Sequence, residues 1–417
     1  MISTSISAHQ ESAAIPASVP DLQGHTRVSV SRVMLTNYRS YKTLSLKLQR
    51  SSNMVVLTGE NGVGKTNILE AISYAAPGRG LRGAGLDDIS RHNKDNWSVA
   101  LQLALEQDDI CEDIKVGTGI EASTTDADST DKKPHSRRIV KIDGEIANNT
   151  NCLGERWSIG WLTPQMDRLF IEGPSSRRKF LDRLTMGLYP DHSRQIGAFE
   201  RTMRERNRLL SDQGVHADAV WLSALEARMA EHGVAAAVAR LEFAGQIAGQ
   251  IEDAAETPFP KAMLAIDGWL EGLLADGLAP VEVEVQYRER LAHERVLDCR
   301  SGRTSTGIHK TDFIVTHKPK SMRADLCSTG EQKALLVGLI IANAHLQTAL
   351  KRQAPLLLLD EVAAHLDNER RSALFDILGA LGSQCWLTGT DMSLFESLKG
   401  KAEFFDVSDG KVQPSLQ

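Results

Sequence analysis

Apolar and polar positions alternate along residues 28–33, where polar side chains separate Val28, Val30 and Val33. That pattern, repeated over residues 44–48, predicts strands with one buried face. Residues 54–58, Met-Val-Val-Leu-Thr, form a third strand that runs straight into a glycine-rich stretch. A helix is predicted from Thr66, because Ile68, Leu69, Ile72 and Ala75 recur at helical spacing. Residues 98–105 and 138–142 alternate again and read as strands. Between them, residues 117–136 are crowded with Thr, Ser, Asp and Lys and predict a long hairpin loop. Residues 177–256 carry a helical pattern, with Leu222, Leu225 and Met229 on one face. They are too few, and too poor in sustained heptads, for a long coiled coil. Residues 281–287 alternate as Val281, Val283, Val285 and Tyr287 and predict a strand; residues 313–316 predict another. The last part reads as a helix at 331–350, a strand at 356–359, a helix at 369–381 and a strand at 385–388. The run Leu356-Leu357-Leu358-Leu359 has no alternation, which fits a parallel strand buried on both faces. The class is α/β with a helical insertion. Residues 1–27, rich in Ser, Ala and Pro with no period, read as a disordered extension.

Composition narrows the picture only a little. The chain has 417 residues, enough for two or three domains, with 41% hydrophobic and 24% charged residues. A formal net charge of -6 argues against a surface that grips DNA along much of its length, so any nucleic-acid contact falls to local basic patches. The cysteines Cys111, Cys152, Cys299, Cys327 and Cys385 form no CxxC pair and predict reduced thiols in a cytosolic protein. The most apolar stretch, residues 335–350, carries Asn343, His345 and Gln347 and reads as too short and too polar for a bilayer. The N-terminus does not have the pattern of a secretory signal.

Candidate chemistry changes the picture more. Gly59-Glu60-Asn61-Gly62-Val63-Gly64-Lys65-Thr66 lies between a predicted strand and a predicted helix, the setting of a phosphate-binding loop. Its glycines let successive N–H groups point at phosphate oxygens, and the helix N-terminus adds positive potential. Lys65 would reach the β- and γ-phosphates of ATP, and the Thr66 hydroxyl would ligate Mg²⁺. Further on, the apolar strand ends in Asp360-Glu361. Asp360 would hold Mg²⁺ through water and Glu361 would act as general base on the attacking water. Ser328-Thr329-Gly330-Glu331-Gln332-Lys333 opens a helix. By itself it fits a plain N-cap as well as an anion site.

The motifs, closed by His365-Leu366-Asp367, come in the order found in the ABC-type ATPases. That resemblance implies that Ser328 and Gly330 contact the γ-phosphate held by a second subunit, and that Asp367 belongs to the nucleotide site. Gln165, in Leu162-Thr163-Pro164-Gln165, would sense Mg²⁺ and the attacking water; the alternative is an exposed loop glutamine. Arg39 would face the nucleotide, the alternative being packing beside its strand. Lys65 and Ser328 are much further apart than in transporter ATPase subunits, and there is no room for the coiled coils of chromosome-structuring ATPases. Four segments resemble the RecF recombination-repair family instead: Leu35-Thr36-Asn37-Tyr38-Arg39-Ser40-Tyr41, Gly173-Pro174-Ser175-Ser176-Arg177-Arg178-Lys179-Phe180-Leu181-Asp182, Arg206-Asn207-Arg208-Leu209-Leu210 and Thr306-Gly307-Ile308-His309-Lys310-Thr311-Asp312. Ile308 and Lys310 depart from the Pro and Arg usual in the last.

The resemblance implies an ABC-ATPase-like head, with a P-loop sheet, helices and an antiparallel β subdomain, over residues 28–195 and 301–417. A mainly helical lobe is inserted at 196–300. It implies a slow, DNA-stimulated ATPase that pairs as an ATP-dependent homodimer and binds double-stranded DNA near single-strand gaps. It also implies work with RecR and RecO to load RecA, in the cytoplasm at the nucleoid, with no membrane partner. Arg177, Arg178, Lys179, Arg204 and Arg208, on predicted helices, are the candidate DNA contacts, because phosphates need only local positive charge. The competing readings are a transporter ATPase subunit and a chromosome-structuring ATPase.

Overall fold

The computed structural model describes residues 24–49, 52–91, 96–108, 110–121 and 137–415. The expected extension therefore lies outside the described residues up to residue 23. Thr26 and Arg27, assigned to it, belong instead to the first strand and pair with Gln353 and Ala354.

In chain order, β1 (Thr26–Tyr38) and β2 (Tyr41–Lys47) make a hairpin, and β3 (Met54–Thr58) leads to α1 (Lys65–Ser73). β4 (Ser98–Gln107), β5 (Ile110–Glu121), β6 (Arg137–Ile142) and β7 (Glu145–Ile146) follow as an antiparallel run. Then come α2 (Asn151–Arg156), β8 (Ile159–Leu162) and α3 (Pro174–Leu188). α4 (His192–Gln213) and α5 (Ala219–Asp253) are the long helices of the lobe, followed by β9 (Ala262–Asp267), α6 (Trp269–Ala275), α7 (Pro280–His293) and α8 (Arg295–Ser301). The chain returns through β10 (Asp312–His317), β11 (Met322–Arg323) and α9 (Thr329–Lys351). It ends with β12 (Gln353–Ala354), β13 (Leu356–Leu359), α10 (Asn368–Ala380), β14 (Cys385–Gly389), β15 (Glu403–Ser408) and β16 (Lys411–Pro414).

Among the described residues these strands form three sheets. The first is antiparallel apart from its β1–β12 edge, in the order β12-β1-β4-β5-β6-β7 with β2 also on β1. The second is β11-β10-β9, and the third runs β16-β15-β3-β14-β13-β8. In the third, β15, β3, β14, β13 and β8 are parallel, so their C-terminal ends share one edge. β3, β13 and β14 are buried throughout, as runs covered on both faces must be.

Three expectations are corrected. The stretch 281–287 is helical, within α7. Pro280 sits in its first turn, and the Glu282 carboxylate accepts from the Ala279 N–H at 3.2 Å. Val283, Tyr287 and Leu291, four apart, are fully buried, while Val281 is 71% exposed. The alternating glutamates imitated a strand, but burial follows the helical period. Residues 117–121 belong to β5 rather than to a loop, and residues 122–136 lie outside the described residues. Gly119 fits there because a Cβ would come within 2.6 Å of the Trp97 carbonyl oxygen. Finally, α9 is long and apolar enough to cross a membrane by length and composition. However, 72% of its apolar window is buried inside the protein, where it packs against α5 and β8 as a core helix.

Candidate functional site

The parallel edge of the third sheet gathers the candidate chemistry. β3 delivers the glycine loop, whose Gly59, Gly62 and Gly64 take φ values of 144°, 85° and 114°. Gly59 has a second constraint: a Cβ would lie 2.2 Å from the Val407 carbonyl oxygen. Lys65 is nearly buried, and its ammonium donates to the carbonyls of Gly59 at 2.6 Å and Glu60 at 2.7 Å. Burial lowers its pKa, while the charges of Glu361 and Asp360 oppose that shift.

Thr66 opens α1 and donates its hydroxyl to Asp360, lying 2.9 and 3.0 Å from the two carboxylate oxygens. Thr388, on β14 between the strands that carry these two groups, donates to Asp360 Oδ1 at 2.7 Å. The same Thr388 oxygen accepts the Glu361 N–H at 2.9 Å. Burial raises the Asp360 pKa against the pull of the Thr388 and Thr66 hydrogen bonds. Glu361 sits in the left-handed region at φ 53°, a conformation that a non-glycine residue holds only when its surroundings fix it. The Asp360 N–H donates to Leu162 O at 2.8 Å, which puts the end of β8 alongside. Gln165 follows β8 in a 3-10 turn, Pro164–Arg168, with its side chain exposed. A magnesium ion takes few protein ligands and is completed by phosphate and water. Thr66 and Asp360 supply that sparse set of hard oxygens. No group of three or more His, Cys, Asp or Glu able to hold a metal occurs among the described residues.

The other candidates are placed differently. Arg39 has its guanidinium engaged with buried Glu70 of α1, at 2.8 and 2.6 Å, and with the Asp88 carbonyl at 2.9 Å. Arg82 reaches the same Glu70 at 3.3 Å. Ser328 caps α9, donating to Glu331 Oε2 at 2.8 Å and accepting the Glu331 N–H at 3.4 Å. Gly330 is exposed, with open space where a Cβ would stand. Asp367 caps α10 by accepting the Arg370 N–H at 2.8 Å. The bridge that Thr388 makes from Asp360 to Glu361 and the hold of Glu70 on Arg39 were not foreseen, although both residues sit in segments already singled out.

Two of the basic candidates point inward. Arg177 makes a two-bond pair with Asp312, at 2.7 and 2.8 Å, and also holds the carbonyls of Phe170 and Glu172. Arg178 donates to the Thr311 carbonyl at 2.7 Å. Both tie α3 to β10 and its approach, so their donors are already engaged within the chain. Arg206, between the candidates Arg204 and Arg208 on α4, is fully buried between Glu226 and Asp298. Arg204 and Arg208 are exposed and lie 3.7 Å from Glu200 and 3.5 Å from Asp212, one turn away. Lys179 is exposed.

Comparison with known proteins assigns the family. The family model described as RecF/RecN/SMC N terminal domain matches residues 29–412. The DNA replication and repair protein RecF of Rhizobium etli (strain CIAT 652) is 45% identical over 388 residues, covering 93% of this chain and 99% of that protein. The chain belongs to the RecF family. RecF of Brucella suis biovar 1 (strain 1330) is 47% identical over 387 residues, with 93% of this chain and 96% of that protein covered. The fold matches a solved structure of the recombination mediator protein RecF-ATPrS in the RecFOR pathway, with TM-score 0.77 at 20% identity over 94% of this chain and 100% of that one. It is also similar to the Smc head domain of Pyrococcus furiosus, solved with an extended coiled coil and bound to the C-terminal domain of ScpA. That match has TM-score 0.50 at 16% identity, over 93% of this chain and 96% of that one. The fold is thus the ABC-ATPase-like α/β head of RecF and SMC proteins, and the transporter-subunit reading is set aside.

Three of the four segments that resemble RecF, all but residues 35–41, meet in one buried joint. Arg240 of α5 bridges Asp182 at 2.8 Å, Glu271 at 3.0 Å and the Ile308 carbonyl at 3.0 Å. Arg206 bonds Thr304 at 3.1 Å, and Thr304 donates to Asn207 at 2.7 Å. His309 packs against Phe199 and bonds the Thr304 carbonyl at 2.9 Å. These residues fasten the helices of the lobe to β10 and its approach.

Proposed function

We propose that this protein is an ATP-driven clamp of recombinational repair. Two copies trap two ATP molecules, each between one chain's Gly59–Thr66 loop and the other chain's Ser328 and Gly330. The observation that carries this reading is the Thr66–Asp360–Thr388–Glu361 cluster at the mouth of the glycine loop. On ATP binding, Lys65 exchanges the Gly59 and Glu60 carbonyls for the β- and γ-phosphates. Thr66, and Asp360 through water, would hold magnesium, which would supply charge neutralisation to those phosphates. Gln165 orients a water against the γ-phosphorus. The water oxygen bonds to that phosphorus as its bond to the β–γ bridging oxygen breaks and ADP leaves, and a water proton passes to the Glu361 carboxylate. Turnover is slow because the nucleotide serves as a switch.

Bound ATP assembles the dimer on double-stranded DNA near single-strand gaps, and hydrolysis releases it. The clamp works with RecR and RecO to place RecA. That the related RecF proteins are DNA replication and repair proteins supports this reading. The test is ATP hydrolysis with and without gapped duplex, together with Glu361→Gln. Gapped duplex is expected to raise the rate, and the variant is expected to bind ATP and remain dimeric on DNA. A Glu361→Gln chain that stays monomeric with ATP present overturns the clamp.

A further inference from the structure

Beside Gln165 opens a cleft of about 490 Å³, lined by Gln165, Arg168, Ser176, Lys179, Phe180 and Arg183 among others. Ser176, Lys179, Phe180 and Arg183 share one face of α3 by their three- and four-residue spacing. Arg168 faces them from the turn after β8. The guanidinium of Arg183 lies 4.7 Å from the Trp161 ring centre and 5.3 Å from that of Phe180. Among the described residues its hydrogen bonding goes to Met166 Sδ at 3.4 Å, and burial alone pulls its pKa down, with no carboxylate opposing. Arg168 and Lys179 likewise have no carboxylate within ion-pair distance among the described residues. Their neighbours on α3 contrast with them: Arg177 and Arg178 are consumed by Asp312 and the Thr311 carbonyl. The cleft carries a single acid, Glu172.

Aromatic faces stabilise a desolvated guanidinium, but they do not replace a counter-ion. Three cations converging on one cleft, none of them ion-paired and with Glu172 the single acid, call for an anion from outside, and a tetrahedral oxyanion suits two planar forks beside a point donor. We propose that this cleft is a phosphate site that takes a backbone phosphodiester of the bound nucleic acid. This rests on the DNA-binding reading above and gives it a location. Because Gln165 lines the same cleft, a strand seated there touches the turn that orients the attacking water. DNA occupancy and ATP hydrolysis therefore share one element.

The test is fluorescence anisotropy with a labelled gapped duplex across a salt series. It compares the unaltered chain, an Arg168→Ala/Lys179→Ala double variant and Arg183→Lys, with melting curves for each. The two truncated side chains are exposed, so the double variant is expected to melt with the unaltered chain. It should bind roughly tenfold or more weakly, and the slope of log affinity against log salt should fall by about 2. Arg183→Lys keeps the charge but loses the planar fork, and should weaken binding without changing the slope. If the unaltered chain binds duplex and the double variant matches it in affinity and slope, the cleft proposal is overturned and the DNA-binding reading stands. If the unaltered chain binds no duplex at any salt, that reading falls and the cleft assignment falls with it.

Discussion

Replacing Thr388 with valine removes one oxygen and leaves nearly the same shape. That oxygen is the link between the Asp360 carboxylate and the Glu361 backbone. Losing the bond to a charged, buried acceptor costs about 1.5–3 kcal/mol, and stranding the Glu361 N–H costs about 1–3 kcal/mol. Part of this falls on folding. The rest falls on the site, because Glu361 holds its φ of 53° only while its N–H is anchored. If about half of the combined loss appears in the transition state, kcat falls roughly ten- to a hundredfold. Asp360 moves as well. Burial already raises its pKa, and the Thr388 hydrogen bond is the strongest pull against that shift. A carboxyl group raised in the folded state binds more protons there than in the unfolded chain. Stability therefore falls as pH rises from the ordinary Asp value through the raised one, and in Thr388→Val that window extends further upward. Since magnesium needs the ionised form, the variant should require more magnesium at a given pH, most of all on the acid side. The assay is steady-state ATP hydrolysis over a magnesium series at two pH values, with nucleotide binding measured separately. Thr388→Ser, which keeps the oxygen, should recover most of the activity. A Thr388→Val protein with unaltered kcat and unaltered magnesium dependence would refute the reasoning.

Lys65→Ala should abolish tight ATP binding in a direct titration, since no other ammonium touches the loop carbonyls at Gly59 and Glu60 among the described residues. Arg206→Met should lower unfolding stability by about 3–5 kcal/mol in urea, because Asp298 and Glu226 are then left as buried charges with fewer partners; an unchanged midpoint would contradict this. Val283→Asp should destabilise strongly and Val281→Asp by no more than about 0.5 kcal/mol, since only the first side chain is buried; equal effects would restore the strand reading of that segment. Burial lowers the pKa of His345, and of His309 against its bond to the Thr304 carbonyl. Their contribution to stability is thus full above the ordinary histidine value and is lost as pH falls through the lowered values. Urea midpoints at pH 7.5 and 5.5 should differ in that direction, with a smaller difference in His345→Gln.

The sequence carried what depends on neighbours along the chain. The glycine loop is contiguous, its strand and helix flank it, and Leu356–Leu359 announces a doubly covered strand without any tertiary knowledge. What escaped depends on partners that are distant in sequence. Thr388 matters only because β14 lies between β3 and β13. Arg177 and Arg178 looked like a basic patch because Asp312 and Thr311 stand on the far side of the inserted lobe. Arg206, next in line to Arg204 and Arg208 on the same helix, is buried because α5 and α8 bring Glu226 and Asp298 to it. In residues 281–287 the period itself misled, since Val and Glu in strict alternation satisfy a strand while the face at 283, 287 and 291 satisfies a helix. Charge written in a sequence shows where an ion pair can form, and only the fold shows which charges remain for a ligand.

The cap at the start of α9 has a consequence for encounter between two chains. Ser328 gives its hydroxyl and N–H to Glu331, and a hydrogen bond from Lys320, ahead of those from Ser328, pushes the Glu331 pKa down to about 2. The helix end thus already carries an anion of its own at any physiological pH. In the proposed clamp, an incoming γ-phosphate would meet an occupied seat and would have to displace a tethered carboxylate before Ser328 could turn toward it. Such a built-in competitor would filter out weak or fleeting contacts and leave nucleotide delivered squarely by a second chain as the ligand able to win the exchange.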